Sequence, residues 1–65
     1  MSVIDVKVRY EFSLLAIPGI VGVAADVNKN EIVVYVENKN VCLRVPSSIE
    51  GYKVRCVVTG EFRVL

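Results

Sequence analysis

The chain has 65 residues, of which 54% are hydrophobic and fifteen are Val, and its eight basic and seven acidic side chains leave a formal net charge of +1. That balance excludes a global field of the kind that draws a protein to nucleic acid or anionic lipid, and a chain with no His and two Cys lacks the usual ligand set for zinc. The length makes one domain, residues 1–65, and at this size folding removes only roughly 60% of the surface an unfolded chain exposes.

The first element is ambiguous. Ile4, Val6, Val8, Tyr10, Phe12 and Leu14 alternate without error with Asp5, Lys7, Arg9, Glu11 and Ser13, which alone predicts a strand. On a helical wheel the four charges scatter around the axis and leave no clean apolar stripe, which counts against an amphipathic helix. Against this, Ser13 to Ala16 runs into Ile17 and the Pro18-Gly19 pair, which suits a helix end better than a strand end.

Residues 20–27 alternate as a second element, with Val21, Val23, Ala25 and Val27 on one face and Ile20, Gly22, Ala24 and Asp26 on the other. The small residues Gly22, Ala24 and Ala25 allow close approach, and a helix packed across the sheet is the expected neighbour. Asn-Lys-Asn then occurs twice, at 28–30 and 38–40. Because Asn tolerates the left-handed conformation, each copy is expected to reverse the chain as a hairpin turn. Between them, residues 31–37 are apolar on both faces, with Ile32, Val34 and Val36 opposite Val33 and Tyr35, as in a central strand.

A third strand is expected over 41–45, stopped by Pro46, with Ser47 or Ser48 capping one helical turn that ends at Gly51. A last strand covers 52–59, broken at Gly60 and continued over 61–64. In a strand at 41–45, Cys42 falls beside Arg44 on the polar face, whereas Cys56 joins Tyr52, Val54 and Val58 in an apolar set. Faces that do not match predict two free thiols.

Ile17-Pro18-Gly19-Ile20-Val21-Gly22-Val23, Ile32-Val33-Val34-Tyr35-Val36-Glu37, Ile49-Glu50-Gly51-Tyr52-Lys53-Val54-Arg55 and Val58-Thr59-Gly60-Glu61-Phe62-Arg63 together resemble an uncharacterised small domain. It occurs as short stand-alone archaeal proteins and, in similar form, ahead of the catalytic part of some bacterial relatives of trypsin-like proteases. The resemblance spans roughly residues 14–64 and rests on apolar and glycine positions, which specify backbone shape and not chemistry. It implies a small scaffold or accessory module, with no protease activity carried over to a chain that lacks His. It also implies a helical first segment. The expected fold is therefore α+β, with one N-terminal helix within residues 4–16 packed on a mainly antiparallel sheet. That sheet is built from a meander (20–27, 31–37, 41–45) plus a C-terminal strand (52–59, 61–64). An all-β sheet or partial barrel with an N-terminal strand is the alternative.

No constellation argues for catalysis or a cofactor. Glu31 and Glu37 lie six residues apart, about 20 Å along a strand, too far to act as a pair. Ser47 and Ser48 have no base to activate them, and Gly19, Gly22, Gly51 and Gly60 form no phosphate loop. Lys7-Val8-Arg9 recurs as Lys53-Val54-Arg55. Were both strands, Lys7, Arg9, Lys53 and Arg55 would share a face with Arg44 near, a nucleic-acid surface in outline. Tyr10 and Tyr52 fall on the opposite side, and acidic residues dilute the field. The excess of Val and Ile over what so small a core can hide favours a non-enzymatic protein-interaction module instead. A homo-oligomer, first of all a dimer, or a complex with a protein partner is expected, in the cytoplasm and without membrane or metal. A regulatory module for a separate enzyme is a further alternative.

Overall fold

The computed structural model describes residues 2–59. Helix α1 (Val3–Leu15) begins at Ser2, whose side chain accepts a hydrogen bond from the Asp5 backbone at 3.2 Å while the Asp5 carboxylate accepts one from the Ser2 backbone at 3.1 Å. This reciprocal pair is a capping box with Asp in the third position. Flawless alternation does not prevent the helix, for a geometric reason. Every second member of a period-two series is four residues from the next, so winding at about 100° per residue sorts the series onto two nearly opposed sides. Val6, Tyr10 and Leu14 join Val3 in or against the core, whereas Ile4, Val8 and Phe12 are exposed. The all-β alternative is thereby overturned.

Four strands follow: β1 (Ile20–Asp26), β2 (Glu31–Val36), β3 (Ser48–Ile49) and β4 (Tyr52–Val58). They form one open sheet in the order β1-β2-β4-β3. β1 pairs with β2, and β3 with β4, antiparallel, while the central pairing of β2 with β4 is parallel. The fold is α+β, one N-terminal helix on a mixed sheet, with the doubly apolar β2 in an inner position. The first Asn-Lys-Asn turns as expected: Asp26 Oδ1 accepts from the backbone of Asn28 and Lys29, and Asn30 takes φ of 52°.

The second Asn-Lys-Asn does not turn the chain back. Asn38 stays extended and its Oδ1 accepts from the Asn40 backbone at 3.0 Å, which caps a 3-10 helix (Lys39–Arg44) where a third meander strand was expected. A parallel neighbour for β2 needs a crossover of a dozen or so residues, and residues 37–51 supply it. The expected helical turn before Gly51 is also replaced. Ser48 and Ile49 form β3, and Glu50 (φ 53°) with Gly51 (φ 84°) makes the tight hairpin into β4. The expected continuation over 61–64 lies outside the described residues.

The core lies between the sheet and a second layer made of α1 and the 3-10 segment. Val3, Val6 and Leu14 meet Ile20, Ile32, Val34 and Val36 there, with Val41 and Ile49 closing the far side. β1 carries a bulge between Ile20 and Gly22, where the register slips by one residue. Ile20 therefore joins the same core as Val23 and Ala25, whereas Gly22 and Ala24 belong to the opposite face. Close approach at Gly22 consequently involves Tyr35, whose ring lies where a Gly22 side chain would come within 3.5 Å, and not the helix.

Cys42 and Cys56 form a disulfide, with Cα atoms 5.9 Å apart. The expectation of two free thiols rests on a strand over 41–45. In the 3-10 helix the alternation rule does not apply, and Cys42 packs against the core beside β4, as Cys56 does. Leu43, which strand alternation would place on one face with Val41, is instead exposed.

Candidate interaction surface

Helix α1 has two apolar sides. One is consumed by the core. The other carries Ile4, Val8, Phe12 and Leu15, which remain 51%, 60%, 86% and 40% exposed. Their spacing of four, four and three places them in one row along the helix. Lys7 and Glu11, paired at 2.8 Å, border this row, and Asp5 and Arg9 stand beyond it. The Ser2 backbone N–H and the Ser2 hydroxyl each donate to Asp5 Oδ2 at 3.1 Å, and these two bonds hold the Asp5 carboxyl below its ordinary range.

The other side of α1 faces the β3 end of the sheet. Tyr10 Oη donates to Glu50 Oε1 at 2.9 Å, and this bond with the Glu50 carboxylate raises the phenol pKa. Beside it Ser13, Leu14 and Ile17 line a mainly apolar cleft of about 430 Å³ with Pro46 and Ile49. A smaller, polar hollow of about 270 Å³ lies between Gly19, Glu37, Asn38 and Arg44.

The five basic residues considered for nucleic acid do not form one patch. Lys7 and Arg9 are on α1, Arg44 ends the 3-10 helix, and Lys53 and Arg55 are on β4. Arg55 is engaged on the face of the sheet away from α1, 3.7 Å from Asp26 Oδ2 and 3.8 Å from Glu31 Oε1. Among the described residues, no three His, Cys, Asp or Glu side chains gather as a metal site, and no helix is long and apolar enough to cross a membrane.

The exposed row was present in the sequence as the subset Ile4, Val8, Phe12 of the alternating series. Treating the wheel as one face concealed it, because the pattern has two. Compared with models of known families, with curated proteins and with solved structures, the chain matches none.

Proposed function

We propose that this chain is a non-enzymatic protein-interaction module that works by self-association, a dimer being the simplest form. The observation that carries the reading is the exposed row Ile4, Val8, Phe12 and Leu15 on a helix whose other side already fills the core. Single exposed apolar residues are ordinary on protein surfaces, whereas a contiguous row on one helix face is characteristic of a helix that packs on a partner. The accessory role implied by the family resemblance agrees with it. Arg55 lies within ion-pair distance of two carboxylates and the five cations are divided among α1, the 3-10 helix and β4, which favours this reading over a nucleic-acid surface.

The disulfide bears on location. Such bonds persist in oxidising compartments and in the intracellular proteins of hyperthermophiles. A cytoplasmic site for this chain belongs to the second setting.

Sedimentation velocity over a concentration series tests the reading, with Phe12→Ser as the comparison. Phe12 is outside the core, so the variant folds as the parent does. A parent that dimerises and a variant at least about 30-fold weaker in self-association support the proposal. A parent that stays monomeric at every concentration overturns it.

A further inference from the structure

The layer above the sheet is too narrow to roof all of it. A helix is about 10 Å across and strands sit about 4.8 Å apart, so one helix covers about two strands. α1 packs chiefly on β1 and more lightly on β2. The 3-10 helix is tied to the latter half of β4 through Cys42 and Cys56. The start of β4 and its partner β3 are left beside α1 and not beneath it, and the cleft of about 430 Å³ opens there.

That volume falls within the roughly 300–1,000 Å³ of small-molecule sites, which are typically apolar with a few polar groups placed to orient the ligand. Leu14 and Ile49, both buried, supply the apolar lining together with Ile17 and Pro46. Among the described residues that line the cleft, Glu50 is the one charge. It is fixed twice over. Its backbone is set in the hairpin at φ of 53°, and its Oε1 accepts from Tyr10 Oη at 2.9 Å. Oε2 takes no hydrogen bond from a described residue, which leaves the carboxylate open to a further partner.

We propose that this cleft binds a small apolar molecule with a cationic end, its body against Leu14, Ile17, Pro46 and Ile49 and its charge against Glu50. Charge decides the class. An anionic end is repelled by the Glu50 carboxylate, a neutral one gains nothing from it, and a cation is drawn to it. The ring of Tyr10 at the same place offers a π face to the cation as well. The site is separate from the exposed row on α1: Tyr10 and Leu14 are on the side of the helix that meets the core, and Ile4, Val8 and Phe12 are on the other. It therefore holds whether or not the chain self-associates.

The experiment is an NMR titration of the full chain with n-hexyltrimethylammonium, 1-hexanol and hexanesulfonate, which share one apolar chain and differ in the charge of the end group. The expected result is saturable shifts at the Leu14, Ile17 and Ile49 methyls. The cation should bind about fivefold more tightly than the alcohol, as a partly exposed ion pair allows, and the sulfonate most weakly. Glu50→Gln should reduce the cation to the affinity of the alcohol. Ser13→Phe, a change at an exposed position on the rim, should block all three probes. As a second readout, the bound cation should draw the raised Tyr10 pKa back toward its ordinary value, which the alcohol does not do. Shifts that are absent from these methyls, or confined to those of Ile4 and Val8, overturn the site. Equal affinity for cation and alcohol, or a preference that survives Glu50→Gln, overturns the proposed ligand class.

Discussion

Gly19 and Val41 touch so closely that no side chain fits between them: a Cβ built on Gly19 collides with Cγ2 of Val41. Gly19 also has φ of 96°, a conformation that favours glycine, and its carbonyl accepts from the Glu37 backbone at 2.9 Å. This contact fastens the 3-10 segment to the turn that follows α1. Gly19→Ala is expected to cost about 3 kcal/mol or more, from the strained backbone and the overpacking together. Val41→Ala relieves only the second term. Chemical denaturation of both single variants and the double variant checks this, with the double expected to be more stable than the sum of the singles predicts.

The same contact shows why part of the fold could not be read in advance. The two Asn-Lys-Asn copies are identical, yet only the first makes a hairpin. After Asn30 comes a β-branched run, Ile32 to Val34, that finds partners on both sides. After Asn40 the chain has five residues before Pro46, and their fate is decided by Gly19 and Cys56, which are distant in sequence. Strand β2 was legible because Val33 and Tyr35 oppose Ile32, Val34 and Val36. The helix was half legible, since an alternating series satisfies a strand and also a helix apolar on two sides. The exposed row follows only once the helix is known, and the bulge that moves Gly22 and Ala24 away from α1 leaves no mark in the alternation.

The Cys42–Cys56 bond closes a loop that runs from the second half of the 3-10 helix through β3 and the hairpin into β4. Closing a loop of about 15 residues is worth about 3 kcal/mol through the restricted unfolded chain. A Cys42→Ala, Cys56→Ala double variant is expected to lose that amount, with the largest gain in amide exchange between residues 39 and 51. Thiol titration of the denatured parent without reductant should find no free thiol. Two free thiols would remove the crosslink from the account.

Arg55 is the only cation within ion-pair distance of both Asp26 and Glu31 among the described residues, and Glu31 Oε1 is buried without a hydrogen bond. Val33, level with Arg55 in register, is 3% exposed although it lies on the sheet face away from α1. The aliphatic stem of Arg55 is thus well placed to cover it. Arg55→Ala is expected to cost about 1–2 kcal/mol, by uncovering Val33 and by leaving the Glu31 carboxylate unopposed. Adding Glu31→Gln should recover part of this loss, since it removes the buried charge. An added Glu31→Gln that deepens the loss would show that packing alone governs the site.

Tyr10 and Glu50 join α1 to the hairpin before β4 through one hydrogen bond, and the phenol pKa is raised first by that bond, then by desolvation and by the Glu50 charge. A folded-state pKa above the unfolded value favours the neutral phenol. The contribution is therefore complete below the ordinary tyrosine value of 10.0 and is lost as pH rises through the higher folded value. Glu50→Gln keeps an oxygen that can accept from Tyr10 but removes the charge, so the Tyr10 titration should move back toward its ordinary value. Tyrosinate absorbance measured against pH, with Tyr10→Phe subtracted to isolate this ring from Tyr35 and Tyr52, reads the shift directly. An unchanged Tyr10 curve in Glu50→Gln would mean that the hydrogen bond and desolvation, and not the Glu50 charge, govern this ionisation.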